Sequence, residues 1–476
     1  MSKEFWRWSA ADIAEAIREK RTSSVDVLES CLARIASVNP SVNAIVDLME
    51  EEARAAAQAA DAAVARGEAL GPLHGVPVTI KVNIDVANRP TTNGVPAFAG
   101  RIAEQDSPLV RKWRKAGAIV LGRTNTPALS FGLFTNNRLY GRTLNPWAAD
   151  ISPGGSSGGA AVSVATGMVP LAHGNDSGGS IRYPAYCCGL FGMRPTFGRV
   201  PHYSGTSAVD LPIMSQLAVV NGPFARSIDD LRIALWAMSG HDPLDPWSVH
   251  APVPGPRGSG PCKVAVLADL PGVERDEETV EAVRQTAQWL AEAGYTVEYV
   301  MPPRYVEASA LRDRLLIHEI RAGMLEMIEA HAPPEEINEA HALLDATPRM
   351  NFDEFREGLA RRTSIIREWL LFMRDYPLVL TPTAWRKPQP ADFYEKPVAL
   401  TEEMVLELSP LHVPPLLGLP SMAVPTGLVN GVPMGVQLMA SQFEEEQLLA
   451  AGKVIEAKVA GLTPIDPAFG SHPRSD

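Results

Sequence analysis

The chain has little cysteine. Its four cysteines, Cys31, Cys187, Cys188 and Cys262, are spread over 476 residues. They are too few and too scattered for the disulfide framework that holds small secreted proteins together. None of them lies with histidines at the spacing of a zinc site. The sequence therefore predicts reduced, buried thiols, with no metal and no other cofactor.

Long apolar runs and an excess of positive charge are also missing. No run of about 18 apolar residues occurs, so no membrane-spanning helix is expected. The first eight residues lack the apolar segment of a secretory signal, which makes a cytoplasmic location the expectation. Acidic residues outnumber basic ones by 55 to 43, and the net charge of −12 repels nucleic-acid phosphates. We expect small-molecule partners, no nucleic acid and no membrane; a homodimer stays open.

Helical and strand patterns alternate along the first half of the chain. Three helices between residues 9 and 66 are predicted to lead into a first strand at Val76–Val82. A helix over 107–116 and a short strand over 118–121 follow. Such alternation with short connections is typical of an α/β fold, in which helices cover both faces of the sheet.

The second half of the chain adds a helical segment to this pattern. Residues 251–261 are rich in proline and glycine and predict a surface linker, whereas residues 305–375 are charged and strongly helical. We interpret the whole chain, 1–476, as one domain. Its predicted parts are N-terminal helices at 9–66, a catalytic core at 70–250, a helical lobe at 305–375 beside the substrate entrance, and a C-terminal sheet and helix at 376–465.

Two glycine–serine blocks dominate the candidate chemistry. Residues 152–159 are Ser-Pro-Gly-Gly-Ser-Ser-Gly-Gly, and residues 176–182 are Asp-Ser-Gly-Gly-Ser-Ile-Arg. Glycines beside serine leave backbone N–H groups free to face an anion. The first block fits a nucleophile elbow, but a proline-bearing loop precedes it where that motif needs a strand. The second imitates a chymotrypsin-like nucleophile segment, which the strand pattern and the cysteine count do not suit.

A third alternative is that both blocks are flexible linkers, although helix formers and apolar strands border them. Lys81 favours a catalytic role for the two blocks over a role as linkers. It lies in an apolar strand and shares a strand face with Thr79. A lysine in this position is, on its own, most often solvent-facing. Burial would instead lower its pKa and make it a proton acceptor near neutral pH.

Together these segments resemble the amidase signature family, in the same order and over most of the chain. The matching segments are 75–83, 122–125, 152–159, 176–185, 189–196, 222–226, 381–382 and 418–420. The resemblance implies a large mixed β-sheet with helices on both faces. It also implies an amidase that cleaves the carbon–nitrogen bond of a carboxylic amide through an acyl-enzyme, without metal or cofactor.

The resemblance further implies a Ser–cis-Ser–Lys triad. Ser180 is then the nucleophile, Ser156 follows a non-proline cis peptide bond and relays the proton, and Lys81 is the base. The oxyanion hole implied by the family is formed by the backbone N–H groups of Ser177, Gly178, Gly179 and Ser180.

Four neighbouring residues are expected to shape these loops: Gly155, Ser157, Asp176 and Arg182. For Arg182 the alternative is contact with an acidic substrate. Asn175 stands where relatives usually carry threonine, and we expect it to touch no member of the triad.

Substrate choice is predicted from the apolar segment 129–135. Phe131, Leu133 and Phe134 occupy the position that lines the acyl pocket in relatives, although each is also an ordinary core residue by composition. Aryl or medium-chain amides, anilides and carbamates suit such a pocket. The amidase subunit of a glutamine-dependent aminoacyl-tRNA amidotransferase is an alternative. A binding protein without catalysis is disfavoured because Lys81, Ser156 and Ser180 are all present.

Overall fold

A computed structural model describes residues 4–252, 260–459 and 461–469. Within these residues eleven strands form one mixed sheet, in the order β1-β3-β2-β4-β6-β5-β10-β11-β9-β7-β8. The strands are β1 Ile45–Leu48, β2 Pro77–Lys81, β3 Ile119–Thr124, β4 Leu171–Asp176, β5 Phe191–Arg194, β6 Val220–Ala225, β7 Lys263–Val266, β8 Thr296–Tyr299, β9 Leu378–Pro382, β10 Ser421–Val429 and β11 Val432–Ala440.

Helices pack around this sheet. They are α1 Ala10–Arg18, α2 Ser24–Val42, α3 Glu50–Arg66, α4 Pro108–Lys115, α5 Gly158–Ala165, α6 Arg182–Cys188, α7 Ile213–Ala218, α8 Ile228–Met238, α9 Glu277–Glu292, α10 Tyr305–Glu319, α11 Leu325–His331, α12 Pro334–Ala346, α13 Phe352–Asp375, α14 Glu402–Leu406, α15 Ser409–Leu417 and α16 Glu445–Glu456. A π-helical turn, Ile320–Met324, joins α10 to α11.

The centre of the sheet is covered on both faces. Every residue of β2, β3, β4 and β6 is buried. Because successive side chains of a strand point to opposite faces, complete burial requires a layer on each side. The α/β fold with a large mixed sheet, predicted from the sequence, is confirmed.

The short strand β1 was not predicted. Three helices were expected before the first strand, but β1 lies between α2 and α3. It pairs antiparallel with β3 at the edge of the sheet. This expectation was wrong because a four-residue edge strand is too short to show a strand period.

The topology brings the two glycine–serine blocks together. Strand β2 is parallel to its neighbour β4, so the carboxyl ends of both strands lie at the same edge of the sheet. Lys81 ends β2 and Asp176 ends β4. The second block runs from Asp176 into α6, and the first block leads into α5, which packs on both strands.

The predicted helical segment contains α10 to α13, and α10 packs on α15. Of the predicted linker at 251–261, residues 253–259 lie outside the described residues. Among the helices that are described, none is long and apolar enough to cross a membrane.

Candidate active site

Lys81 is fully buried and its amine has three oxygen neighbours. The Nζ atom lies 2.8 Å from Ser156 Oγ, 3.0 Å from Ser157 Oγ and 2.7 Å from Asn175 Oδ1. The structure therefore brings together Lys81 and Ser156, as the sequence predicted. A solvent-facing lysine at this position is excluded.

Burial sets the protonation of this amine. It lowers the pKa of Lys81 well below the ordinary value of 10.5, while the negative charge of Asp176 acts in the opposite direction. Desolvation penalises the charged form of a lysine, so the neutral amine is favoured. A neutral buried amine beside a serine hydroxyl can accept its proton.

Asn175 contradicts the expectation that it touches no triad member, because its Oδ1 makes the shortest of the three contacts to Lys81. Asn175 is the penultimate residue of β4, and β4 is the parallel neighbour of β2. Side chains near the same end of adjacent strands meet across the sheet face. The expectation was wrong because the sequence alone does not tell which face of β4 carries this residue.

The loop before α5 holds Ser156 through tight backbone packing. The Gly155–Ser156 peptide bond is cis. A Cβ atom on Gly155 would lie 2.6 Å from backbone atoms of Leu133 and Phe134, so no side chain fits there. The Thr135 hydroxyl donates to the carbonyl oxygen of Gly154 and accepts from the N–H of Gly158. Segment 129–135 therefore supports the loop, a role that its apolar character did not suggest.

The loop 177–180 presents backbone N–H groups beside Ser180. The N–H of Gly179 donates to Asp176 Oδ1 at 2.9 Å, so it orders the loop. The N–H groups of Ser177, Gly178 and Ser180 make no hydrogen bond to any described part of the protein. This departs from the sequence expectation, which treated all four N–H groups alike. Three remain free to face a ligand.

Asp176 and Arg182 form a fully buried ion pair behind this loop. Burial alone would raise the pKa of Asp176, but Arg182, with Arg194, outweighs it and holds the pKa below its ordinary value. All five N–H groups of Arg182 are donated within the protein: to both carboxylate oxygens of Asp176, to Gln437 Oε1 and to the carbonyl oxygens of Pro410 and Leu411. No donor is left for an acidic substrate, which excludes that alternative.

Ser156 and Ser180 line one cavity of about 480 Å³. Ser156 is buried and Ser180 is half-buried. Within the described residues their hydroxyl groups share this wall without a direct hydrogen bond. Asn175 and Ser177 line the same cavity. The cavity is thus lined by the two serines, by Asn175, which contacts Lys81, and by part of the N–H loop.

Of the three predicted pocket residues, only Phe131 lines this cavity. Leu133 packs against the main core, and the Phe134 ring contacts the Tyr394 ring with 5.4 Å between their centroids. The structure therefore places Leu133 and Phe134 outside the cavity that holds Ser156 and Ser180. The backbone has positive φ at Leu129, Ser130 and Gly132, and this irregular turn sends successive side chains to different sides.

Another part of the cavity lining comes from residues that the sequence did not single out. Leu316, Ile320 and Met324, from α10 and the π-helical turn, line the cavity. They are four residues apart, so they share one helix face. That apolar spacing was the available signal, but nothing in it showed which surface the face covers.

The histidines give no base for either serine. In the described residues no histidine ring hydrogen bonds to Ser156 or Ser180. Burial lowers the pKa of His173 to about 3, and its Nε2 is paired with Asn221 Oδ1. His202 lines the cavity, and burial lowers its pKa as well. In the same part of the chain, no group of His, Cys, Asp and Glu side chains is arranged to hold a metal ion.

Comparison with known proteins identifies a matching family and several similar proteins. The Amidase family model matches residues 26–449. An indoleacetamide hydrolase from Bradyrhizobium diazoefficiens is 42% identical over 468 residues, which cover 96% of this chain and 87% of that protein. A subunit of the glutamyl-tRNA(Gln) amidotransferase from Moorella thermoacetica is 32% identical, with 95% of this chain and 97% of that protein covered.

Solved structures show the same fold. A bacterial aryl acylamidase belonging to the amidase signature enzymes family superposes with a TM-score of 0.79 at 27% sequence identity. The superposition covers 96% of this chain and 97% of the acylamidase. The shared fold therefore extends over almost the whole chain.

Proposed function

The chain belongs to the amidase signature family and is an amidase that hydrolyses a carbon–nitrogen bond of a carboxylic amide; we propose that it forms an acyl-enzyme on Ser180, with Ser156 and Lys81 relaying the proton. One observation carries this proposal. The buried Lys81 amine lies 2.8 Å from the hydroxyl of Ser156, which shares a cavity wall with Ser180. The base is therefore a lysine kept neutral by burial.

The neighbours of Lys81 determine whether its lone pair or an N–H group faces Ser156. A neutral amine has two N–H groups and one lone pair. Asn175 Oδ1 can only accept, and the Ser157 hydroxyl donates to the Asn175 carbonyl oxygen at 3.4 Å, so Ser157 also accepts from Lys81. Both N–H groups are then used. The lone pair is left for the hydroxyl proton of Ser156.

Proton transfer and bond formation follow from this arrangement. Ser180 Oγ attacks the amide carbonyl carbon while its proton passes to Ser156 Oγ, and the Ser156 proton passes to Lys81 Nζ. The relay run backwards protonates the leaving nitrogen when the carbon–nitrogen bond breaks. Water then attacks the acyl-enzyme by the same route and releases the carboxylic acid.

The oxyanion of the tetrahedral intermediate is assigned to the free N–H groups of Ser177, Gly178 and Ser180. A donor in such a position typically contributes about 3 kcal/mol to transition-state stabilisation. Gly155, Ser157, Asp176 and Arg182 hold the two loops through their packing and hydrogen bonds and do not react.

We propose arylacetamides of the indoleacetamide type as the substrate class. The relative with 42% identity is an indoleacetamide hydrolase. Phe131, Leu316, Ile320 and Met324 belong to one apolar cluster at the cavity and give contact surface for a planar aromatic group. Anilides and carbamates with an aryl group fit the same walls and belong in the same test panel.

The amidotransferase subunit is the second candidate, because such subunits are about a third identical over most of the chain. The higher identity to the indoleacetamide hydrolase, together with the apolar cluster of Phe131, Leu316, Ile320 and Met324 at the cavity, favours the stand-alone amidase. Purified alone, the chain should hydrolyse indole-3-acetamide faster than glutamine. Faster hydrolysis of glutamine would support the amidotransferase hypothesis.

Location and assembly complete the proposal. We place the enzyme in the cytoplasm, as a monomer or homodimer, with small molecules and neither nucleic acid nor membrane as partners. The net charge of −12 supports the exclusion of nucleic acid. Cell fractionation and light scattering on the purified chain test these points.

The decisive experiment is labelling with a serine-reactive fluorophosphonate, followed by mapping of the modified peptide. We expect the label on Ser180. A label on Ser156 or Ser157 would contradict the assignment of roles. Full activity in Lys81→Ala would contradict the relay.

A further inference from the structure

Arg312 of α10 reaches the loop that carries the free N–H groups. Its Nη2 donates a hydrogen bond to the carbonyl oxygen of Ser177 at 2.9 Å. The residue is only 8% exposed, so its guanidinium is largely withdrawn from water. A buried cation whose hydrogen bond ends on a backbone carbonyl beside the nucleophile acts on that peptide unit.

Gly178 shows how closely the guanidinium approaches the loop. A Cβ atom on Gly178 would lie 2.0 Å from Arg312 Nη2. The glycine therefore makes room for the arginine, and the Ser177–Gly178 peptide lies directly against the guanidinium. Any other residue at position 178 would displace one of the two.

Asp313 and His412 fix the guanidinium in place. Arg312 Nη1 donates to Asp313 Oδ1 at 2.8 Å, and His412 Nδ1 lies 3.0 Å from Asp313 Oδ2. Burial lowers the pKa of His412, so the neutral ring donates to the carboxylate. The pKa of Asp313 is lowered despite its burial, by His412 and then by Arg312. This chain of contacts ties α10 to α15 across the N–H loop.

We propose that Arg312 is a positioning residue of the oxyanion hole, acting through the Ser177–Gly178 peptide. The Ser177 carbonyl and the Gly178 N–H belong to one peptide unit. A charge-assisted hydrogen bond to the carbonyl holds that unit in place and polarises it, which makes the N–H a stronger donor to the substrate oxyanion. The inference rests on the proposed function, in which the Gly178 N–H is an oxyanion donor.

The charge of Arg312 then matters more for the transition state than for the bound substrate. Arg312→Met, which keeps the length and loses the charge, should lower kcat about 10- to 100-fold with little change in KM. Arg312→Lys should recover part of the loss, because it restores a cation. Arg314→Met is the matched control, since Arg314 lies on the same helix, is 37% exposed and is 3.9 Å from Glu354. It should behave as wild type.

The test is steady-state kinetics on these three variants with indole-3-acetamide, together with binding of indole-3-acetic acid and of an arylmethyl trifluoromethyl ketone. The ketone forms an oxyanion on the nucleophile and the acid does not. We expect Arg312→Met to weaken the ketone in proportion to kcat and to leave acid binding unchanged. Unchanged kcat, or equal weakening of both ligands, would overturn the inference.

Two further measurements keep the outcomes distinct. Fluorophosphonate labelling of Ser180 in the wild type tests the proposed function separately from Arg312. If Arg312→Met does not fold, Asp313→Asn releases the guanidinium with little change in shape and should lower kcat several-fold at constant KM. Wild-type kcat in a folded Asp313→Asn would then overturn the inference.

Discussion

The floor and the roof of the cavity are built on different principles. We call Lys81, Ser156, Asn175 and Asp176 the floor, of which Ser156 and Asn175 line the cavity, and we call Leu316, Ile320 and Met324 of the helical lobe the roof. The floor is buried, and its charged groups have partners within the protein. The roof consists of apolar side chains that meet the cavity, and nearby Val209 on the rim is 77% exposed. The polar groups of the floor are thus fixed by partners within the protein, whereas the roof offers apolar contact surface to the substrate.

The acidic side chain of the floor and those on the Phe131 side of the cavity also differ in their pKa. Asp176 of the floor has a lowered pKa and stays ionised. Glu336 and Glu339 of α12 support the Phe131 side of the pocket by accepting from the N–H groups of Ala128 and Leu133. Burial raises the pKa of Glu339 to about 7 and that of Glu336 well above its ordinary value. Asp176 therefore stays ionised over the pH range in which these supports titrate.

Removal of the nucleophile should have the largest effect. Ser180→Ala should lower kcat/KM for indole-3-acetamide by about 10⁴-fold or more, because the acyl-enzyme cannot form. Ser207→Ala is the control, since Ser207 lines the same cavity and its hydroxyl donates to Val209. Steady-state kinetics measure both variants. A loss below tenfold in Ser180→Ala would rule out this nucleophile.

Removal of the base should come next. Lys81→Met should lower kcat by about 10³-fold. In the wild type, kcat/KM should rise with pH as Lys81 loses its proton and then level off, because only the neutral amine accepts a proton. The midpoint should fall well below 10.5, since burial lowers this pKa. A pH–rate profile from pH 4 to 10 tests this, and a midpoint near 10.5 would contradict a buried base.

Asn175→Leu should sharpen the assignment of the floor. It removes the acceptor of one Lys81 N–H and leaves that donor unpaired, so we expect kcat to fall roughly tenfold. Asn175→Thr restores a hydroxyl acceptor and should lose less. Comparison of kcat for the two variants is the measurement. Equal losses would show that the contact to Lys81 does not orient the amine.

Phe131→Ala separates pocket from core. It should raise KM for indole-3-acetamide about tenfold and leave KM for acetamide nearly unchanged, because only the aromatic group meets this side chain. Phe134→Leu is the matched control, since Phe134 packs on Tyr394 outside the cavity. The control should change thermal stability and keep the ratio of the two KM values. If the ratio of the two KM values changed only in Phe134→Leu, Phe134 and not Phe131 would be the pocket residue.

The smallest expected effect is on stability. The folded-state pKa of Glu339 is raised from 4.5 to about 7, so the folded state binds this proton more tightly than the unfolded state. Stability should therefore fall as pH rises from the ordinary pKa through about 7, by at most about 3 kcal/mol. Glu339→Gln keeps the acceptor for Leu133 and removes the titration. It should exceed the wild type in Tm at pH 9 and approach it at pH 4; equal Tm values at pH 9 would contradict the raised pKa.

Residues of the floor could be singled out from the sequence because they lie in short segments. Lys81 ends an apolar strand, and Ser156 lies between glycines, so composition within a few residues points to their chemistry. The family resemblance supplied their pairing, and the packing of α5 on β2 and β4 brings the loop that carries Ser156 to Lys81. Asn175 escaped prediction because its contact depends on which face of β4 it occupies.

The roof could not be predicted in this way. Leu316, Ile320 and Met324 form an ordinary apolar helix face, and only the tertiary packing places it over the cavity. Leu133 and Phe134 were assigned to the pocket because positive φ values are not visible in an apolar run. Arg312 contacts Ser177 across 135 residues of chain, a separation that no local pattern encodes.

The five donated N–H groups of Arg182 have a consequence for how specificity can diverge. An arginine beside the nucleophile would be a convenient anchor for acidic amides, but recruiting it would break the bonds that hold Asp176 and α15. Variants selected for acidic substrates should therefore keep Arg182 and use another basic residue at the cavity, such as Arg101, which already lines it. Arg182 is thus closed to adaptation, and changes of specificity fall on other residues that line the cavity.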